Sequence, residues 1–324
     1  MAMMSVPALV VAQTATSQRS AHADSVVVTP GAHYRAGWLH ALLFGRHYRN
    51  LWSTPLRVEV LNLHEFAGGL QPLQVGGGLQ TRSLRFRSRD GREYVFRSVD
   101  KDPSAVLPAA LRETVVDRIV QDQISAAHPV APLVASALLD AAGVLHAEPR
   151  LVVLPDDSAL GEFRAEFAGV LGLIEERPTD DPGHASGFAG ATKVIGTDAL
   201  FRRLQRDATE RVDTRAYLAA RLMDMFLGDW DRHGDQWRWA RMGKGDASPW
   251  VPIPRDRDQV FAKYDGILLD FVRPSYPQLV EFSASYPGIV GLTWQGRVLD
   301  RRLLTGLERP VWDSVAAALQ RRLT

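Results

Sequence analysis

The hydrophobic pattern changes period part-way along the chain, and this change limits the folds open to it. Leu56 to Leu61, Ser83 to Arg87, Glu93 to Val99, Leu151 to Leu154 and Leu171 to Ile174 are short runs that read as strands, several of them alternating strictly. Arg89-Asp90-Gly91 turns between the second and third, and Val75-Gly76-Gly77-Gly78 opens a glycine-rich loop before them. One helix interrupts the strands, over Pro108 to Ile124, with Glu113 in its first turns. From Asp198 the chain is mainly helical. Asp198 to Leu204 is short, with Asp198 as its cap. Asp213 to Leu227 is strong, with Tyr217, Leu222, Met225 and Phe226 available to a core, and further helices fill roughly 276 to 323. A hairpin of Trp237 to Arg241 with Trp250 to Pro254 breaks this run, and places Trp237 and Trp239 on one buried side. Strands first and helices afterwards predict an α+β chain of two lobes around one cleft. The Gly/Asp/Pro-rich stretch Thr179 to Ala191 divides an amino-terminal lobe, residues 32–178, from a helical lobe, residues 179–324. Residues 1–31 are expected to be a disordered leader or a clipped signal. The next segment, His33 to Tyr48, spaces Tyr34, Trp38 and Leu42 as a helix whose aromatic face packs on the body; a membrane-surface or partner-docking helix is the alternative.

Composition narrows the chemistry. The chain of 324 residues carries 38 Lys and Arg against 37 Asp and Glu, so it has no global field to track a polyanion, and nucleic acid is not an expected partner. With no cysteine, thiolate nucleophiles, disulfides and Cys-ligated metals are excluded. No apolar run approaches the roughly 18 residues of a spanning helix. The short stretch Val6 to Ala12 resembles the tail of a secretory signal but has no basic residue before it. It slightly favours a periplasmic or cell-envelope location over a cytoplasmic one.

The chemistry concentrates in two loops. Asp229-Trp230-Asp231-Arg232-His233-Gly234-Asp235-Gln236 directly follows the strong helix, and Arg255-Asp256-Arg257-Asp258 follows the hairpin. The hairpin folds the chain back, so Asp231 at its entrance and Asp256 or Asp258 at its exit come together, as a metal site beside a general base requires. Asp229 and Asp235 read as solvated or supporting residues, and His233 as a residue that orients rather than ligates, since no second His lies at ligand spacing.

These loops resemble the active site of atypical protein kinases of the HipA, CotH and secreted Golgi casein-kinase type. Their wording is also similar to the kinase-like region of bacterial surface proteins that join a metallophosphoesterase to an outer-membrane barrel. The resemblance implies a bilobal protein-kinase-like fold with a small β-rich lobe and a larger helical one. It implies ATP as cofactor with Mg²⁺ or Mn²⁺, Asp231 as the catalytic Asp with His233 beside it, and Gln236 with Asp256 or Asp258 at the metal. It further assigns Gly76, Gly77 and Gly78 to the phosphate-covering loop and Arg97 to the phosphate-gripping position, with Glu113 as the partner of Arg97. Leu171 to Pro178, with Glu176, becomes the adenine hinge. Arg97 stands where the family has Lys, Gln236 where it has Asn, and the triple glycine replaces a spaced motif, which leaves room for a kinase-like domain without activity.

The implied reaction is transfer of the γ-phosphoryl group to a hydroxyl of a protein, sugar or lipid. Its alternatives are an inactive binding or scaffold domain with an envelope or outer-membrane partner, and a metal-dependent phosphoester hydrolase. An aminoglycoside-type phosphotransferase is disfavoured, because the residue five positions after Asp235 is Ala240 rather than Asn.

Overall fold

The computed structural model describes residues 24–76, 80–108, 110, 112–180, 187–243, 248–286 and 288–324. Strand β1 (Ser25–Val28), helices α1 (Trp38–Phe44) and α2 (Arg49–Trp52), and strand β2 (Leu56–Glu59) form an amino-terminal segment in which β1 and β2 pair antiparallel. There follow β3 (Leu70–Val75), β4 (Ser83–Ser88), β5 (Glu93–Ser98), α3 (Val115–Asp122), α4 (Ala131–Ala142), β6 (Arg150–Val153), α5 (Arg164–Phe167) and β7 (Leu171–Glu176). Strands β3 to β7 make one antiparallel sheet in the order β3-β4-β5-β7-β6. The second half holds β8 (Ala191–Gly196), α6 (Thr197–Arg206), α7 (Thr214–Leu227), β9 (Trp237–Met242), β10 (Trp250–Pro254), α8 (Ile267–Val272), α9 (Val290–Thr293), α10 (Arg297–Leu303) and α11 (Arg309–Leu323). Strands β8, β9 and β10 form a three-stranded sheet within it. The fold is the expected α+β arrangement, with a small β-rich part and a larger helical part.

Register explains the two faces of the five-stranded sheet. Residues paired across strands share a face, and the faces alternate. Leu84, Phe86, Phe96 and Ile174 therefore lie together, buried with Leu61, Leu63, Leu160 and Phe167. The opposite face carries Ser83, Val95, Arg97, Leu173 and Glu175, and it fronts the cleft. The larger core packs α4, α7 and α11 around Trp237, Trp239 and Trp250, all fully buried, as the alternation predicted for the first two. Helix α7 is capped by the Asp213 carboxylate, which accepts from the Ala216 amide at 2.9 Å, and it stops at Gly228 in the left-handed region (φ 71°). The first acidic loop thus leaves from a fixed point.

Several expectations need correction. Residues 25–28 form a strand rather than a disordered leader; residues 1–23 lie outside the described residues. Helix α4 belongs by packing to the helical core, so the boundary at 178 does not coincide with the division of the cores. The stretch from Val116 to Ala142 has the length and mean hydropathy of a membrane span, but it is broken between α3 and α4 and buries Ala131, Ala135 and Leu139. Phe226 is exposed, not in the core. Asp198 sits in the first turn of α6, whose cap position is Gly196. The aromatic face of residues 33–48 splits: Tyr34 is buried, whereas Trp38 is 79% exposed.

The amino-terminal segment grips α3. Arg49 donates to both oxygens of Asp122 at 2.6 Å, the Trp52 indole donates to the Ala127 carbonyl at 2.8 Å, and Gln121 Nε2 donates to the Tyr34 hydroxyl at 2.7 Å. His47 ties the same segment to the chain after the second acidic loop. Its Nδ1 meets Ser125 Oγ at 2.8 Å, and its backbone amide donates to Asp265 Oδ1 at 3.0 Å.

Burial pushes the His47 imidazole down to about 4, with Arg49 adding to this and Asp265 and Asp122 opposing it. A base depressed in the folded state favours its neutral form there, so its contribution is complete above the unfolded value near 6.5 and is lost as pH falls from there toward 4. That loss amounts to roughly 3 kcal/mol. Urea denaturation between pH 4 and 7 should show a slope in wild type that His47→Gln reduces; parallel curves would refute the assignment.

Candidate active site

Six charged side chains lock the two acidic loops to α7. Asp224, on the last turns of α7, accepts from Arg221 Nη1 at 2.6 Å and from Arg257 of the second loop. Asp229, just past the helix, accepts from the same Arg257 at 2.9 Å and from Arg232 at 3.4 Å. Asp300 of α10 takes Arg221 through Nε at 2.9 Å and Nη2 at 3.1 Å, and also accepts from the Tyr217 hydroxyl at 2.8 Å. The arrangement leaves no room for a side chain at Gly296, where a Cβ would lie 2.7 Å from Arg221 Nη2. Three arginines balance three aspartates, so the cluster carries no net charge.

Arg232, the middle residue of Asp-Arg-His, is a clip between the loops. Its guanidinium donates to the carbonyls of Arg255 at 2.7 Å, Asp256 at 3.3 Å and Gln236 at 3.1 Å, and it lies 4.9 Å from the centre of the Trp237 ring. The Arg255 amide donates back to the Gln236 carbonyl at 2.9 Å. The expected return of the chain across the hairpin is therefore present, with Trp237 paired to Pro254.

Burial pushes the Asp229 carboxyl up to about 6, against the pull of Arg232 and Arg257. Burial also raises Asp224, but Arg257, Arg232 and Arg221 outweigh it and hold that carboxyl below its usual range. Asp229 is thus fully buried, not solvated, whereas Asp235 is exposed as expected.

A cleft of about 390 Å³ lies between the polar face of the five-stranded sheet, α3 and the second loop. Arg97, Lys101, Glu175, Trp230, Asp256 and Asp258 border it, together with the apolar side chains of Val120, Ile124, Leu173 and Leu279. Asp256 sits in the left-handed region (φ 54°). Its carboxylate has no hydrogen-bond or ion-pair partner among the described residues. Burial would raise it, yet Arg97, Lys101 and Arg255 hold it below the usual carboxylate range. Burial and the neighbouring Arg97 and Arg238 push Arg255 down to about 10. An ionised carboxylate facing a cleft without a donor among the described residues could hold a hard cation such as Mg²⁺ or Mn²⁺, whereas Gln236 lies outside the cleft border. Asp231 lies outside the cleft border, a quarter exposed, with His233 Nε2 3.8 Å from its Oδ1. His233 accepts from the Asp235 amide at 3.3 Å and caps the turn Gly234–Gln236, which fits an orienting role.

Other expected site residues are placed differently. Arg97 donates to Glu175 of the neighbouring strand at 2.6 Å. Glu113, expected to be its partner, is exposed, precedes α3, and has its amide on Asp117. Glu176 lies one residue out of phase with Glu175, so its side chain is on the sheet face away from the cleft, 3.5 Å from Arg92. Gly76 is a close approach of β3 to β4: its amide donates to the Ser83 carbonyl at 2.6 Å, and a Cβ there would strike Ser83 Oγ. Gly77 and Gly78 lie outside the described residues. No three His or acidic side chains already converge as a metal cage among the described residues.

Lys101 went unnoticed in the sequence. Its ammonium pairs with Asp258, and burial, opposed by Asp256 and Asp231, lowers it below the usual lysine range. One signal was available: only four of the 38 basic residues are lysines, and this one lies four residues after Arg97, just past the strand that carries it.

No protein-family model matches the sequence, and no curated protein does. Among solved structures, the chain is similar to the Helicobacter pylori proinflammatory kinase CtkA, with 9% identity and a TM-score of 0.39 over 79% of this chain and 81% of that one.

Arg257→Met should destabilise the protein by about 3 to 5 kcal/mol in urea denaturation, because it leaves Asp224 and Asp229 buried with too few cations. Asp231→Asn, at a partly exposed position outside the cluster, should stay within about 0.5 kcal/mol. Equal effects of the two would refute the locking role of the cluster.

Proposed function

We propose that the chain is an atypical kinase of the HipA, CotH and secreted Golgi type, transferring the γ-phosphoryl group of ATP to a hydroxyl of a protein, sugar or lipid. The observation that carries this reading is the ionised Asp256 carboxylate in the cleft, without a partner among the described residues and held next to Arg97 and Lys101 by a loop clipped to the Asp231 loop.

Asp256 and Gln236 would hold a Mg²⁺ or Mn²⁺ ion, which when bound neutralises phosphate charge and orients the β- and γ-phosphoryl groups. Arg97 and Lys101 bring positive charge to the same phosphates. Asp231 takes the acceptor's proton as its oxygen bonds to phosphorus and the bond between phosphorus and the ADP oxygen breaks. His233 keeps the Asp231 carboxylate turned toward the acceptor. Because loose phosphoryl-transfer transition states need little covalent help, positioning and charge are the main requirements, and the locked loops supply both.

A second reading is a nucleotide-binding domain without turnover. It is favoured by the commitment of Arg97 to Glu175 in place of a helix glutamate. Thermal shift and isotope transfer from ATP with Mg²⁺ and with Mn²⁺ separate the two. Wild type should show metal-dependent stabilisation and transfer. Asp231→Asn should lower kcat about 10² to 10⁴-fold with binding retained, and Asp256→Asn should abolish the metal-dependent shift. Binding without turnover, unaffected by Asp231→Asn, selects the silent domain. Phosphate release from simple esters without an acceptor selects a hydrolase, and the absence of any metal-dependent nucleotide shift sinks the kinase reading.

A further inference from the structure

The Asp256-Arg257-Asp258 loop presents two carboxylates to one cleft, and the structure treats them differently. Asp256 has no partner among the described residues, whereas Asp258 is capped by the Lys101 ammonium. Lys101 is well held for this. Its side chain is 14% exposed, and its backbone carbonyl accepts from Gln121 Nε2 of α3 at 2.8 Å. The same Gln121 amide donates to the Tyr34 hydroxyl, which in turn donates to Asp100 Oδ1 at 2.6 Å, so the root of Lys101 is fixed by α3 and the amino-terminal segment together.

We infer that Lys101 is the second cation of the site: of the two carboxylates only Asp256 serves a divalent ion, and Asp258 holds the Lys101 ammonium in place of a second ion. This rests on the phosphotransfer reading above. A bound polyphosphate needs more positive charge than a single divalent ion provides. Arg97 can give only part of it, since its guanidinium is engaged by Glu175. A lysine ammonium is a compact point charge with three donors, able to keep one on Asp258 while turning another to a phosphate oxygen. A second divalent ion at Asp258 has to displace that ammonium, and repulsion between the two cations in a largely buried cleft opposes it.

Manganese titration of the full chain with a non-hydrolysable ATP analogue, read by electron paramagnetic resonance, tests this. Wild type should bind one Mn²⁺. Lys101→Met should bind two, because Asp258 is released. Asp258→Asn should keep its one Mn²⁺ within about threefold in affinity, while Asp256→Asn should lose at least about tenfold. Near-ultraviolet circular dichroism establishes that each variant is folded, and if Lys101→Met is not, the comparison of the two aspartate variants decides. Two Mn²⁺ in wild type, a single ion in folded Lys101→Met, or a larger loss in Asp258→Asn than in Asp256→Asn overturns the inference and leaves the kinase reading intact. No Mn²⁺ or nucleotide on wild type overturns both.

Discussion

The buried ionic cluster of Arg221, Asp224, Asp229, Arg232, Arg257 and Asp300 is the constraint on which the site depends. Desolvating so many charges is costly, and an apolar cluster of equal volume would often be at least as stable. What an apolar cluster lacks is direction. Arg257 reaches two carboxylates on different elements, and Arg232 reaches three carbonyls across both loops. Each hydrogen bond fixes an orientation as well as a distance, so the loops have one relative position rather than a range. The strong helix α7 supplies the fixed frame, because its cap and its glycine stop determine where Asp229 begins.

The other wall of the cleft is held by different means. Helix α3 is only eight residues long, and none of its described side chains joins the larger core. Its position comes from outside: Arg49 on Asp122, Tyr34 on Gln121, and Trp52 on the carbonyl of Ala127 just beyond it. All three bonds involve residues 34 to 52, so a segment that precedes the sheet in sequence acts as the brace of the cleft. This gives the amino-terminal segment a purpose that strand and helix counts do not reveal. The same chain of bonds ends at Lys101, which links the brace to the charged centre.

The sequence displayed the parts governed by local rules. Alternation located β4, β5 and the β9–β10 hairpin, and helical spacing with an Asp cap located α7. The two acidic loops were visible because carboxylates are dense there and a hairpin necessarily brings its ends together. Residues whose roles depend on distant partners were not visible. Glu175 and Glu176 are neighbours, and only the register against β5 decides which of them meets Arg97. Glu113 had the right distance along the chain from Arg97, but α3 starts two residues after it. Asp229 could be read as solvated or supporting, and nothing local announces that Arg257, 28 residues on, decides for the buried, supporting role. The same holds for Lys101, which meets Asp258 across 157 residues.

Asp256 brings together features that seldom coincide without a reason. A non-glycine residue in the left-handed region is uncommon, though Asp tolerates it better than most. An ionised carboxylate without a donor loses solvation that nothing nearby replaces directly. Here that charge is kept by Arg97, Lys101 and Arg255 acting at a distance, while the backbone is pinned by Arg232 through the Asp256 carbonyl. A core that needed only stability would satisfy this carboxylate with one of those cations. Instead Lys101 is drawn to Asp258 and Arg97 to Glu175, so two acids two residues apart divide into one that is neutralised and one that is left open. Strain and an unmet charge at the same residue, both imposed by a rigid surround, are what a ligand-binding centre requires and what packing alone would remove.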